Sequence, residues 1–248
     1  MRKRILITGA STGLGRGMAL EFAARGRDLA LCARRLELLE ALKAEIVTRF
    51  PGVRILVCAL DVNDHEQVFQ VFRRLAAELG GLDRVIVNAG IGKGAAIGTG
   101  NFRANRATAE TNFVAALAQC EAALEIFRAQ RSGHLVTIAS VAAVRGLPRA
   151  TTVYAATKAG LASLTEGIRA DVWNTAIRVS AIYPGYIESE LSAGADRRPF
   201  VVDTATGCRA LVRAIESERP RSYVPRWPWA VIALLLRHVP LGLLVRFL

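Results

Sequence analysis

From the amino end, short apolar runs alternate with longer stretches whose apolar residues recur every three or four positions. Ile5, Leu6 and Ile7 form the first run, as expected of a strand buried on both faces. Leu14, Met18, Leu20, Phe22 and Ala23 follow at roughly helical spacing until Gly26 closes the element. Asp28 to Ala33 reads as a second buried strand, after which Leu36, Leu39, Leu42 and Ile46 trace an amphipathic helix. The alternation continues with a strand at Val53 to Ala59, a helix at Val68 to Leu79 and a strand at Leu82 to Val87. Ile91 to Gly100 is glycine-rich and reads as mobile, and a long helix is expected over roughly Arg103 to Gln130. His134 to Ala139 and Ile177 to Ile182 predict two further strands, Asp203 to Glu216 a helix, and Ser222 to Val224 a seventh strand.

Strands separated by helical segments indicate an α/β fold: a doubly wound parallel sheet of about seven strands in three αβα layers. Ligands of such sheets lie at the carboxyl ends of strands. Three strand ends carry small or polar residues there: Gly9 to Gly15, Asp61 with Val62, and Asn88-Ala89-Gly90. Together they argue for one crevice. The first is the most telling, because strand, glycine turn and helix aim backbone N–H groups and a positive helix end at an anion. A Cβ there would block both the turn and the close approach of a pyrophosphate.

Composition narrows the picture without redirecting it. With 248 residues, 52% of them hydrophobic, the chain is expected to form one domain (1–248) with a large core and an apolar extension at 226–248. The first strand starts almost at once, which leaves no room for a signal peptide. Cys32, Cys58, Cys120 and Cys208 are scattered, with no CxxC and no clustered His, so buried free thiols in a reducing cytoplasm are expected, and no metal. The net charge of +12 comes with no aromatic-interleaved basic stripe or nucleic-acid motif. It fits either a cation bias spread over the surface or attraction to phosphates of a cofactor or an anionic membrane.

The end of the second strand sets the cofactor expectation. An acid there would accept the ribose hydroxyls of NAD, but the position holds Ala33 followed by Arg34. A guanidinium can fork onto a 2′-phosphate, so NADP(H) is favoured over NAD(H). The alternative, a solvated helix start, is more persuasive for Arg35 than for Arg34.

Further along, Asn112 sits among apolar neighbours in a helix it does not favour, so if buried it must be hydrogen-bonded, for structure or for a site. Ser140 ends the fifth strand, and Tyr154 and Lys158 share one helix face at i, i+4. With Thr8-Gly9-Ala10-Ser11-Thr12-Gly13-Leu14-Gly15, Asn88-Ala89-Gly90, Tyr154-Ala155-Ala156-Thr157-Lys158 and Pro184-Gly185, these residues resemble the short-chain dehydrogenase/reductase family in order and spacing, over roughly Arg4 to Ser189. The resemblance implies a Rossmann-type fold, a nicotinamide cofactor, and hydride transfer between a carbonyl and an alcohol.

It also implies roles. A free phenol, with a pKa near 10, is a weak acid at neutral pH, and an ammonium one turn away lowers that value. Tyr154 is then the general acid/base, Lys158 its activator and a ribose ligand, Ser140 the partner of the substrate oxygen, and Asn112 the support of a proton relay. For the cofactor, the resemblance assigns Gly9, Thr12, Gly13, Leu14 and Gly15 to the pyrophosphate turn and Ser11 with Arg34 to the 2′-phosphate. Asp61 and Val62 fall beside the adenine, and Asn88, Ala89 and Gly90 line the cleft. Pro184, Gly185, Ile187 and Ser189 fall at the carboxamide end, and Gly185 to Val202 is the expected movable lid.

The tail, Trp227 to Leu248, is strongly apolar, but Arg237, His238 and Pro240 interrupt it well short of the roughly 20 residues that span a bilayer. Three readings stay open: a cover for the substrate pocket or an oligomer interface, a peripheral membrane contact with the tail on the inner surface, or both, delivering a lipid. All favour a large apolar substrate. The leading expectation is an NADPH-dependent ketone reductase for a hydrophobic, lipid-type substrate, acting as a homodimer or homotetramer. The alternatives are a reductase of carrier-bound 3-ketoacyl chains and a non-catalytic NADP-sensing or membrane-associating module.

Overall fold

A computed structural model of the chain describes residues 2–188 and 200–246. Its centre is a seven-stranded parallel sheet ordered β3-β2-β1-β4-β5-β6-β7. The strands are β1 (Arg4–Thr8), β2 (Asp28–Ala33), β3 (Ile55–Ala59), β4 (Arg84–Val87), β5 (Gly133–Ile138), β6 (Ile177–Pro184) and β7 (Arg221–Val224). Successive side chains of β1 point to opposite faces. Ile5 and Ile7 pack with α1 (Gly13–Ala23), α2 (Leu36–Arg49) and α7 (Thr204–Glu216). Leu6 faces the other layer, with α3 (His65–Leu79), α5 (Ala115–Gln130) and α6 (Thr152–Asp171). This is the expected doubly wound, three-layer sheet. Because the strand order reverses between β1 and β4, a crevice opens outside their carboxyl ends.

Two strands start later than the apolar runs suggest. β4 begins at Arg84 rather than Leu82, because the amide of Gln130 takes both backbone groups of Leu82: its Oε1 accepts the N–H and its Nε2 donates to the carbonyl. β3 begins at Ile55, just after Arg54 N–H donates to the Asp28 side chain. β6 runs two residues further than expected, to Pro184, because its end pairs with β7 through Tyr183–Tyr223 and Pro184–Val224.

The long helix expected over Arg103 to Gln130 is interrupted. α4 (Phe102–Ala109) passes into a π-turn at Glu110–Val114 before α5 begins. One extra residue in a turn re-aims side chains, and such turns cluster at functional sites. Asn112 lies within this one. The loop expected to be mobile is anchored in its first half, where Asn105 Oδ1 accepts from Ala95 N–H and the Thr108 hydroxyl donates to the Lys93 carbonyl.

All four cysteines are buried and free. At the amino edge of the sheet, far from the crevice, Arg84 is almost wholly buried. Its Nε donates to His134 Nδ1 at 2.9 Å and its Nη2 to Glu218 Oε1 at 3.3 Å. His134 Nε2 lies 2.9 Å from the Ser180 hydroxyl. With Nδ1 accepting from Arg84, the imidazole is neutral and Nε2 is its donor.

The tail forms α8 (Arg226–His238), with Trp227 in extended backbone at its start, and α9 (Leu241–Arg246). Among the described residues no helix is long and apolar enough to cross a membrane.

Candidate active site

The crevice is built first by its turn. Gly9 and Gly13 have positive φ (64° and 53°), where a side chain would be strained. A Cβ on Gly9 would also sit 2.9 Å from Ala89 Cα, and one on Gly15 would run into the Gly9 carbonyl. The turn is therefore packed to backbone contact, leaving its open side to the amino end of α1. Among the described residues no side chain caps that helix. Uncapped N–H groups at a helix start, above a cradle that any Cβ would fill, fit the pyrophosphate of a dinucleotide.

Asn88, assigned to the cleft lining, uses its side chain as a clamp. Its Nδ2 donates to the carbonyls of Thr8 (2.8 Å) and Gly9 (3.3 Å). The fully buried Thr8 hydroxyl accepts from Asn88 and Ala89 N–H, at 3.1 and 3.2 Å. These bonds tie the end of β4 to the turn after β1. Thr8 was not among the candidate site residues; a hydroxyl directly before the first turn glycine was the available signal.

At the end of β2, the guanidinium that meets the turn is that of Arg35, whose Nη2 donates to Thr12 Oγ1 at 3.2 Å. Arg34 is exposed beside it, and Ser11 is buried in the turn. The chain leaves β2 and enters α2 at Leu36, which turns position 35 toward the glycines. Asp61 Oδ1 accepts from Asn63 N–H and side-chain amide, shaping the loop after β3, with Val62 buried beside it.

Beyond Asn88, the catalytic candidates converge. Lys158 is almost wholly buried, and its Nζ donates to the Ile138 carbonyl at 2.8 Å, next to the strand end that carries Ser140. Burial pushes its ammonium down to about 8. Tyr154 is half-buried one turn before it, with Lys158 Nζ 5.9 Å from the centre of its ring. Ser140 Oγ accepts from Ala142 N–H at 3.1 Å, which orients the hydroxyl at the start of the 3-10 turn Val141–Val144.

Asn112 is fully buried, and its amide grips both backbone groups of one residue: Oδ1 accepts from Ile91 N–H and Nδ2 donates to the Ile91 carbonyl, each at 2.8 Å. Its side chain therefore positions the loop after β4. A Cβ on Gly90 would lie 3.1 Å from Asn112 Oδ1 and 3.5 Å from Lys158 Nζ. The missing side chain at Gly90 thus lets the loop, Asn112 and Lys158 meet.

Pro184 and Gly185 end β6 at the crevice rim, but the tail claims this loop too. A side chain at Gly185 would occupy the space filled by the Trp229 indole. Trp229 is buried, meets Tyr186 edge-on at 5.0 Å, and its Nε1 has no hydrogen-bond partner among the described residues. Arg145, just past the Val141–Val144 turn, donates to the Leu236 and Val239 carbonyls and so closes the carboxyl end of α8. Neither contact is signalled locally in the sequence, since each joins residues tens of positions apart. Ile187 is buried against Gly207 of α7 and bridges Val202. Ser189, and most of the expected lid from Gly185 to Val202, lie outside the described residues.

Comparison with known proteins bears on the family and the fold. A family model described as short chain dehydrogenase matches residues 3–199. An uncharacterized oxidoreductase of Mycobacterium tuberculosis is 56% identical over 246 residues, covering 99% of this chain and 97% of that one. A protein of Arabidopsis thaliana named 11-beta-hydroxysteroid dehydrogenase 1A is 32% identical, covering 91% of this chain and 69% of its own. Among solved structures, a short-chain dehydrogenase/reductase of Burkholderia phymatum in complex with NAD shares the fold, with a TM-score of 0.84 at 21% identity over 96% of this chain and 93% of that one.

Proposed function

The chain belongs to the short-chain dehydrogenase family, and from that premise we propose that it is an NADPH-dependent reductase of ketones carried on large apolar molecules. The family makes it an oxidoreductase acting between CH–OH and C=O with a nicotinamide cofactor. The finer reading rests above all on one observation, the apolar tail seated on the rim of the crevice through Trp229 and Gly185. The relative named as a hydroxysteroid dehydrogenase points toward a substrate of the same bulk.

For the cofactor, the turn after β1 and the amino end of α1 would hold the pyrophosphate. Arg34 and Arg35 would take a 2′-phosphate, a reading supported by the absence of an acid at that strand end and by the Arg35–Thr12 bond. When bound, the nicotinamide supplies the hydride. The protein's own groups then do the rest. Ser140 donates a hydrogen bond to the ketone oxygen and fixes it. Tyr154 gives its phenolic proton to that oxygen as the carbonyl becomes an alcohol. Lys158, charged and close by, stabilises the phenolate left behind.

The test is NADPH oxidation across ketones that differ only in alkyl length. Each buried CH₂ contributes roughly 0.8 kcal/mol, so kcat/KM is expected to rise about fourfold per methylene while the pocket fills. Turnover with a flat profile would reject the apolar pocket. In the same assay Arg34→Ala combined with Arg35→Ala should weaken NADPH far more than NADH, and equal losses would reject the cofactor preference.

The buried lysine gives a pH prediction. Its ammonium, pushed down to about 8, is present below that pH and lost above it. In reduction, kcat/KM is expected to hold through neutrality and then fall about tenfold per unit above pH 8, since the free enzyme's groups set that profile. A flat profile up to pH 10 would show that Tyr154 does not depend on the Lys158 charge.

A further inference from the structure

We propose that the tail docks the protein on an anionic lipid bilayer, with α8 and α9 lying in the plane of the interface. Both helices are fixed to the body on one side: Trp229, Ala233 and Leu244 are buried, and Arg145 closes the end of α8. The other side carries Trp227, Val231, Leu234, Leu235, Leu241 and Val245, all exposed, with Trp227 76% open to solvent. An apolar face of this extent on well-packed helices marks a surface made for a partner.

Charge selects the partner. From residue 219 onward the sequence holds Arg219, Arg221, Arg226, Arg237 and Arg246 and not one Asp or Glu. Arg226, Arg237 and Arg246 are exposed on the two helices themselves. Exposed aliphatic side chains and a tryptophan, flanked by arginines and His238 with no acid among them, have the composition of a helix that lies in a headgroup layer. A second copy of the chain fits poorly. Two-fold pairing of the helices would bring Arg226, Arg237 and Arg246 of each copy together, with no acid on either helix to neutralise them. At 13 and 6 residues, the helices are too short to span a bilayer.

Placement makes the docking useful. α8 runs from Trp229, on the crevice rim at Gly185, to the end held by Arg145, beside the turn that follows Ser140. A bilayer under the tail would therefore lie beside the pocket mouth. Docking itself is independent of the reductase reading, and its test uses no turnover.

The full chain is sedimented with vesicles of phosphatidylcholine alone and of phosphatidylcholine with 30% phosphatidylglycerol. Binding to the anionic vesicles is expected to be at least tenfold tighter and to weaken as salt rises from 0.05 to 0.5 M. Leu234→Ser with Leu235→Ser should reduce it at least tenfold at an unchanged melting temperature. Where that pair unfolds the protein, Arg237→Gln with Arg246→Gln provides the second variant, expected to lose the preference for the anionic lipid. Failure of the folded wild type to sediment with either vesicle would overturn the proposal. So would a concentration-dependent dimer that the serine pair abolishes, which would assign the face to a second copy.

Discussion

Replacing Tyr154 with Phe is expected to lower kcat/KM for ketone reduction by about a thousandfold while leaving NADPH affinity within about threefold. General acids contribute roughly 10² to 10⁴ to rate, and the middle of that range corresponds to about 4 kcal/mol of transition-state stabilisation. The substitution isolates the proton. Thr157 Oγ1 bonds the backbone carbonyl of Tyr154, not its hydroxyl, and the ring stays beside Lys158, so the helix and the ammonium keep their places. Fluorescence titration with NADPH and steady-state rates on one ketone separate the two effects. A variant that keeps more than a tenth of the activity would remove Tyr154 from the chemistry.

A second large effect is expected at the opposite edge of the sheet. Glu218→Gln should destabilise the protein by about 3 kcal/mol, because it removes the half-buried carboxylate that Arg2 shares with a buried guanidinium and leaves the latter without its charge partner. Arg84 carries that guanidinium. Burial already draws its guanidinium down to about 10, with Glu218 and Glu216 opposing the change. At roughly 2–4 °C per kcal/mol for a chain of this size, the melting temperature should fall by about 6–12 °C. Kinetics at 25 °C should not change. An unaltered melting temperature would mean that solvent reaches Arg84 and that the pair is unimportant. His134 adds a pH signature to the same network. Burial and the charges of Arg84, Arg2 and Arg178 hold its pKa well below 6.5, so it is neutral when folded, whereas the unfolded chain takes up a proton. Its contribution is complete above about pH 6.5 and declines as the pH falls below it.

What the sequence made legible and what it hid divide by the range of the interactions involved. β1 and β2 were plain because a parallel strand covered on both faces is apolar almost without break, and the adjacent glycines had one mechanical reason to be there. Tyr154 and Lys158 were plain because four residues on a helix fix a shared face. The π-turn was hidden: Asn112 lies among residues that read as continuous helix, and the residue it grips is Ile91, twenty-one positions away. Arg84 was hidden by its neighbours, since a cation beside Val85, Ile86 and Val87 looks like a strand edge until His134 and Glu218 arrive from elsewhere.

The contact between Trp229 and Gly185 ties the history of the tail to that of the crevice. An indole fills the volume that any side chain at 185 would need. A mutation at 185 is therefore tolerable only in a lineage whose residue 229 has already become smaller. A lineage that enlarges 229 forfeits variation at 185 in the same way. The two positions, forty-four residues apart, constrain each other sterically, so a tail exchanged between relatives is expected to need its matching loop.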